Sequence, residues 1–171
     1  MKKIYFLEGM PKIGKTTIIN KLKNEYPSIN VVDELLFDEY KDQESFMKND
    51  IQKLNMYNEG IIVVDRGLIS TLSYNETKMK IDNKFREYSK VLDWFNKYKY
   101  IYESDNVKTI YLKGNNFQLR YHDELDPYGT YENQKLLEET TIKNIKKYCK
   151  NYAIRNYSYN QIDEVIYEIV N

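Results

Sequence analysis

The chain has 171 residues with 26 basic and 26 acidic side chains, so its formal net charge is zero, and 42% of its residues are hydrophobic. This length and composition predict one globular domain over 1–171, and the balanced charge excludes the broad positive surface of a protein that grips a nucleic-acid backbone. A single cysteine, Cys149, excludes a disulfide framework and a cysteine-rich zinc site, and no apolar run approaches the roughly 20 residues of a membrane helix, so we expect a cytoplasmic protein with no membrane partner.

Short β-rich runs alternate along the chain with longer segments of helical period. The β-rich runs cover 3–8, 30–34, 61–65, 107–112 and 152–157, and the helical segments cover 15–26, 46–58, 84–102, 136–151 and 161–170. This alternation is the pattern of βαβ units around a parallel sheet. We therefore predict an α/β fold in which helices flank a five-stranded parallel sheet.

The segment LEGMPKIGKTT, residues 7–17, joins the first β-rich run to the first helical segment. It contains the pattern G-x-x-x-x-G-K-[ST] in the strand-to-helix context that this pattern requires. Its glycines let successive N–H groups face phosphate oxygens, and the helix that begins at Lys15 adds its positive dipole end. Lys15 then reaches the β- and γ-phosphates and Thr16 binds Mg²⁺. The fold class is therefore a P-loop NTPase with ATP and Mg²⁺ as cofactors, and the cofactor-binding candidates are Gly9, Gly14, Lys15, Thr16 and Thr17.

The run 61–65 predicts a central strand buried on both faces, and it ends in Asp65, which Arg66 follows. The carboxyl end of such a strand lies beside the phosphate loop. Asp65 can hold the Mg²⁺ shell there, and Arg66 offers a planar fork to phosphate oxygens. In the alternative interpretation the two side chains cap the next helix and pair with one another, but the preceding phosphate loop favours the functional role.

The stretch DRGLISTLSY, residues 65–74, resembles the D-R-Y-x-x-S-x-x-A-Y motif of thymidylate kinases and also the E-R-S motif of deoxynucleoside kinases. The matching residues are Asp65, Arg66, Ser70 and Tyr74, and Gly67 replaces the expected Tyr or Ser. The resemblance implies a P-loop fold of the nucleoside and nucleotide kinase type with a small-molecule acceptor. It also implies that Arg66, Ser70 and Tyr74 bind the substrate, and that the helices at 46–58 and 84–102 could form a homodimer.

Glu34 closes the second β-rich run, VVDELL, and resembles the Glu that follows the second strand in both families. In deoxynucleoside kinases this Glu takes the proton from the 5′-hydroxyl of the acceptor, which requires a carboxylate within hydrogen-bond reach of the attacking oxygen. Here Leu35 stands where Pro is usual, and Asp33 is an adjacent competitor. A solvated carboxylate at the strand end is the alternative.

The turn-rich stretch DELDPYGTY, residues 123–131, predicts a lid over about 120–134. Family members often carry several arginines in this region, whereas here Arg120 stands alone with His122 nearby. Some thymidylate kinases place a basic residue at the third variable position of the phosphate loop, which Lys12 occupies here. We therefore expect Lys12 to share the catalytic role with Arg120, Lys15, Arg66 and Glu34, although Lys12 could instead point to solvent. Pro11 replaces the Asp that usually helps to hold the sugar.

These features lead to a phosphotransferase that moves the γ-phosphoryl group of ATP to a deoxynucleoside monophosphate. Lys12 favours this acceptor because an extra cation offsets two anionic groups brought together. The alternative acceptor is a deoxynucleoside, with Glu34 as the base. A nucleotide-dependent switch is a hypothesis of another class, but the string at 83–86 lacks the Asp of the N-K-x-D guanine motif. A kinase acting on a polynucleotide end is disfavoured by the neutral charge.

The base of the acceptor is not predicted. Aromatic side chains that could stack on it are Phe37, Tyr40, Phe46 and Tyr74, and Asn49 or Gln52 could read its edge. For Phe46 a place in the core and a place in the pocket carry equal weight, and we include it among the substrate-binding candidates.

Overall fold

The computed structural model of the protein describes residues 1–36, 42–83, 87–114 and 120–171. The predicted base-stacking residues Phe37 and Tyr40 lie outside this part of the chain, as does the start of the helix predicted at 84–102. Within the described residues, no helix is of a length and apolarity that would let it cross a membrane.

The five predicted strands are present and form one sheet. They are β1 (Lys2–Gly9), β2 (Asn30–Val32), β3 (Gly60–Asp65), β4 (Val107–Gly114) and β5 (Tyr152–Tyr157). Their order is β2-β3-β1-β4-β5, and every neighbouring pair is parallel. The strand order reverses at β1, because β2 and β3 lie on one side of it and β4 and β5 on the other. A crevice therefore opens at the carboxyl end of β1, where ligands bind in open α/β sheets.

Helices cover both faces of the sheet. In the described residues they are α1 (Lys15–Glu25), α2 (Gln43–Asn55), α3 (Leu68–Ile81), α4 (Tyr88–Tyr98), α5 (Tyr131–Tyr148) and α6 (Ile162–Val170). Short 3-10 turns, Lys99–Glu103 and Tyr159–Gln161, follow α4 and precede α6. The predicted α/β fold, a five-stranded parallel sheet flanked by helices, is confirmed.

Alternate side chains of the strands belong to two separate hydrophobic clusters, one on each face of the sheet. On β1, Phe6 packs in the first cluster with residues of α2 to α5, and Leu7 packs in the second with residues of α1 and α6. On β3, Val64 joins the first cluster and Val63 the second. Successive residues of a strand point to opposite faces, so both central strands are buried on both sides, as their apolar sequences predict.

Several elements differ from the sequence prediction. The pattern does not predict α3, because its buried apolar residues are confined to its first turns and polar ones such as Ser73 and Thr77 are buried further along. The predicted lid is partly helical, since Thr130 accepts a hydrogen bond from the backbone of Asn133 and α5 begins at Tyr131. The strand predicted to include Glu34 ends at Val32, which leaves Glu34 on the following segment.

Candidate active site

The phosphate loop runs from β1 to α1 through three residues of positive φ. These are Gly9 with φ 150°, Lys12 with φ 58° and Gly14 with φ 114°. Gly9 has no room for a side chain, because a Cβ there would lie 2.9 Å from the carbonyl oxygen of Leu112. A left-handed conformation is uncommon at a residue other than glycine, so the fold constrains Lys12 into a turn that its own side chain disfavours.

Lys15 is buried in the first turn of α1 and folds back over the loop. Its Nζ donates hydrogen bonds to the carbonyl oxygens of Gly9 (3.2 Å) and Met10 (3.3 Å). Burial, followed by the nearby charge of Arg66, lowers the pKa of Lys15 to about 8. An anion bound at the loop would favour the protonated form of this side chain.

Asp65 and Thr16 offer the oxygen atoms that Mg²⁺ prefers. Asp65 ends β3 in register with Leu7 of β1, and its Oδ1 is buried with no hydrogen-bond partner among the described residues. Burial is the main cause of its raised pKa. Thr16 is exposed at the start of α1 and lines the same cavity. No group of three or more potential metal ligands exists in the described ranges, so a cation here would take its remaining ligands from phosphates and water.

Arg66 is brought together with two other predicted site residues. Its Nη1 donates a hydrogen bond of 2.8 Å to the hydroxyl of Tyr74, and its guanidinium carbon lies 5.4 Å from the centre of that ring. Its Nε lies 3.1 Å from Oε1 of Glu34 in an ion pair that lacks the alignment of a hydrogen bond. Arg66 itself has φ 58° and is 9% exposed, so its side chain is held rather than free to move.

The adjacent carboxylates Asp33 and Glu34 have different partners. Asp33 pairs with Lys23 on the surface, at 2.7 Å from its Nζ, whereas Glu34 turns to Arg66 in the cavity. The amide of Asn49 on α2 donates to the carbonyl of Glu34 and accepts from the backbone of Leu36, at 2.9 Å in each case. The side chain of Asn49, a candidate for reading the base, is therefore buried and bonded to the backbone of Glu34 and Leu36.

Ser70 lines the cavity, but its hydroxyl is already bonded to a buried carboxylate. Ser70 Oγ donates to Glu8 Oε2 at 2.5 Å, and the backbone N–H of Gly67 donates to Glu8 Oε1 at 2.8 Å. Burial raises the pKa of Glu8 to about 7 despite these hydrogen bonds. The sequence does not predict this role for Glu8, since its partners are about 60 positions away along the chain and only the fold brings them together.

A cavity of about 640 Å³ collects most of the predicted site residues. Its lining includes Lys12, Lys15, Thr16, Glu34, Phe46, Asp65, Arg66, Ser70 and Tyr74. Phe46, which is 40% exposed, therefore belongs to this wall and not to the core. Thr17 and Arg120 do not line the cavity.

The segment predicted to be a lid contacts the site through an aromatic residue. Tyr128 donates a hydrogen bond of 2.7 Å to the carbonyl oxygen of Tyr74, and the two rings meet edge to face with centres 5.0 Å apart. Arg120 lies at the start of the predicted lid, and its backbone N–H donates to Gln134 Oε1 at 2.8 Å. His122 is exposed. The sequence does not single out Tyr128, because a tyrosine in a turn carries no pattern of its own among the 18 tyrosines of the chain.

No family model matches the sequence, and no curated protein sequence matches it. Solved structures do resemble the fold. Deoxyadenosine kinase from M. mycoides with bound dATP aligns over 100% of both chains with 15% identity and a TM-score of 0.69. Thymidylate kinase from Candida albicans covers 99% of this chain and 91% of its own, with 13% identity and a TM-score of 0.64.

A third solved structure is the YorR protein from Bacillus subtilis in complex with phosphorylated GDP. It aligns over 98% of this chain and 95% of its own, with 17% identity and a TM-score of 0.58. At these identities the likeness concerns the fold, and it extends over the whole chain rather than the phosphate loop alone. Together with the strand order and the loop between β1 and α1, it shows that this chain has the P-loop fold of the nucleotide and nucleoside kinases.

Proposed function

We propose that this protein is an ATP- and Mg²⁺-dependent kinase that phosphorylates a deoxynucleoside monophosphate. The observation that carries the proposal is the position of Lys12, which lines the cavity from a left-handed turn of the phosphate loop while the lid residue Arg120 lies outside the cavity lining. A cation at this point offsets the repulsion between the γ-phosphate of ATP and a second phosphate brought beside it. Lys12 of the phosphate loop thereby supplies the positive charge that Arg120 of the predicted lid does not bring to the cavity.

In the proposed reaction a phosphate oxygen of the acceptor attacks the γ-phosphorus of ATP. The bond from that phosphorus to the β–γ bridging oxygen breaks, and the electron pair leaves with ADP. Lys15 and the N–H groups of the loop neutralise the β- and γ-phosphates, and Arg66 holds the acceptor in line with its planar guanidinium. Thr16 and Asp65 would hold Mg²⁺, which when bound offsets phosphate charge.

The acceptor side of the cavity is walled by aromatic and polar groups from α2, α3 and the lid. Phe46, Tyr74 and Tyr128 all line this cavity, and the rings of Tyr74 and Tyr128 contact each other edge to face. Pro11 lines the cavity from within the phosphate loop and carries no carboxylate for a sugar hydroxyl. The proposal therefore names a deoxynucleotide as the class of acceptor and leaves its base to experiment.

A deoxynucleoside is the second candidate acceptor, and Glu34 is the observation in its favour. Glu34 is a partly exposed carboxylate in the cavity, 3.1 Å from Arg66 Nε. A hydroxyl acceptor must lose a proton during transfer, and a carboxylate within reach can take it. A monophosphate is already ionised and requires no base, so Glu34→Gln should suppress phosphorylation of a nucleoside far more than that of a nucleotide.

A panel of acceptors tests the proposal. We expect transfer of radiolabelled γ-phosphate from ATP with Mg²⁺ to at least one deoxynucleoside monophosphate, read by chromatography against the matching deoxynucleosides and a 5′-hydroxyl oligonucleotide. Lys12→Ala should lower kcat for the nucleotide by about 10²-fold, the usual cost of one transition-state donor, with the affinity for ATP unchanged. Lys48→Ala, on the exposed side of α2, is the matched control.

Transfer to deoxynucleosides alone would favour the second candidate. ATP hydrolysis with no acceptor phosphorylated would contradict both. Equal kcat in Lys12→Ala and the unsubstituted protein would show that Lys12 takes no part in phosphoryl transfer. That result would remove the observation on which the nucleotide acceptor rests.

A further inference from the structure

Lys53 is a buried lysine in the last turn of α2, and its ammonium group is held by three contacts. It is 2% exposed, and its Nζ donates hydrogen bonds of 2.9 Å to the backbone carbonyls of both Asp65 and Arg66. Lysine is almost never buried to this degree unless its charge is paired. Here the partner is Asp50, whose Oδ1 lies 3.6 Å from Nζ.

The two carbonyls belong to the turn by which β3 enters α3. Arg66 sits in this turn with φ 58°, a left-handed conformation that a side chain other than glycine rarely adopts. The turn places Asp65 and Arg66, which are consecutive, on the lining of the same cavity. Backbone polar groups buried at such a point need partners, and Lys53 supplies a donor to both.

The same helix also contacts the backbone of Glu34, the other member of the Glu34–Arg66 ion pair. Asn49 clamps the carbonyl of Glu34, one turn of helix before Lys53. Asp50 in turn accepts a hydrogen bond of 2.6 Å from Thr71 Oγ1, which ties the network to α3. One helix therefore fixes the backbone beneath both members of the ion pair, through Asn49 on one side and Lys53 on the other.

We propose that Lys53 is a positioning residue for phosphoryl transfer: its two hydrogen bonds hold the left-handed turn that aims Arg66 at Glu34, Tyr74 and the acceptor. This inference rests on the proposed kinase function. Lys53 acts through Arg66 and not on the substrate itself. Reacting groups displaced by about 1 Å can slow a reaction about 10²-fold, so the loss of this anchor should affect catalysis strongly while the phosphate loop still binds ATP.

Lys53→Met tests the inference, because methionine nearly matches the length of the lysine stem but donates no hydrogen bond. We expect kcat/KM for the acceptor to fall about 10²-fold, with the Kd for ATP from calorimetry unchanged. Lys48→Met, on the exposed side of the same helix, should leave both values unchanged. Should Lys53→Met not fold, as judged by circular dichroism, Lys53→Arg retains a cation at a displaced position and should show a smaller loss in the same assays.

A double-mutant cycle with Arg66→Lys separates positioning from stability. If Lys53 works through Arg66, the Lys53 substitution costs much less in the Arg66→Lys background than in the unsubstituted protein. Additive losses would overturn the inference.

A second readout does not depend on activity. The NMR signal of the Arg66 Nε–H, identified by its disappearance in Arg66→Lys, should shift in Lys53→Met and not in Lys48→Met. If the unsubstituted protein phosphorylates no acceptor, the proposed function fails, and the Arg66 signal still decides whether Lys53 positions that side chain. An unshifted signal together with unchanged kinetics would refute the role of Lys53.

Discussion

At the scale of a single residue, the proposed role of Lys15 and its environment have opposite effects on its charge. It must be charged to neutralise phosphate, yet it lies in a buried position beside Arg66, and this environment lowers its pKa to about 8. The carbonyl oxygens of Gly9 and Met10 accept its hydrogen bonds when no phosphate competes for them. The pKa of this lysine in the phosphate loop is therefore lower than that of an exposed lysine.

This environment predicts that ATP binding takes up a proton above pH 8. In the free protein at pH 8.5, most Lys15 side chains are neutral because their pKa is about 8. Bound triphosphate favours the ammonium form and raises the pKa again, so binding at this pH draws a large fraction of one proton per site from the buffer. Calorimetry in two buffers of different ionisation enthalpy measures this uptake as a difference in apparent binding enthalpy.

The same titration at pH 6.5 should show no uptake by Lys15, since the side chain is already charged there. Lys15→Arg provides the matched variant, because a guanidinium stays protonated throughout this range. Equal apparent enthalpies in the two buffers at pH 8.5 would contradict the assigned environment of Lys15.

The site residues that the sequence predicts are those whose pattern is local. One pattern of eight positions contains Gly9, Gly14, Lys15 and Thr16, and this pattern predicts a phosphate-binding loop. Glu8 and Lys53 are different, because each becomes meaningful only when the fold brings β1 or α2 to the end of β3. A buried lysine bonded to carbonyls looks, in sequence, like any lysine on an amphipathic helix.

At the scale of elements, the packing at the junction of β3 and α3 explains why the chain has Gly67 where the resembling motifs have Tyr or Ser. A Cβ at Gly67 would lie 2.5 Å from Phe6 Cδ1 and 2.8 Å from the hydroxyl of Tyr102. Tyr102 also accepts a hydrogen bond from the backbone of Ile69 at 3.2 Å, so it cannot withdraw without losing a contact with α3. Two aromatic side chains thus occupy the space that the Tyr or Ser of the resembling motifs would need.

We therefore predict that Gly67→Ala destabilises the protein by about 1–3 kcal/mol through overpacking. The cause is steric, since the backbone of Gly67 is extended and open to any residue. Urea denaturation followed by circular dichroism measures the free energy of unfolding. In a Phe6→Leu background the same substitution should cost less, because the shorter side chain leaves room, and equal costs in both backgrounds would refute the clash.

Elements are predicted from sequence to different degrees for physical reasons. The strands β1, β3 and β4 are short apolar runs buried on both faces, so their composition reveals them. Helix α3 is not visible in the sequence because much of its buried surface is polar: Ser73 and Glu76 accept hydrogen bonds from Asn144 of α5, where an apolar stripe would be expected. The beginning of α5 is hidden as well, because Thr130 caps it within a stretch that reads as loop.

At the scale of the whole molecule, the two hydrophobic clusters share their strands. Phe6 and Val64 face one cluster while Leu7 and Val63 face the other. Loss of packing in one cluster would therefore destabilise the strands on which the other cluster also packs. This shared sheet is the physical basis for expecting one folding unit over 1–171, which the sequence predicts from length and composition.

We predict a single cooperative unfolding transition seen equally from both faces of the sheet. Trp94, the only tryptophan in the sequence, packs against the first cluster and reports on it by fluorescence. A Trp94→Phe, Tyr26→Trp variant moves the probe to the second cluster, against which Tyr26 is packed. The midpoint of urea unfolding by fluorescence should coincide with that by far-UV circular dichroism in each protein, the test of a two-state transition. If the midpoints separate in the unsubstituted protein, one layer of helices unfolds before the other and the chain is not a single cooperative unit.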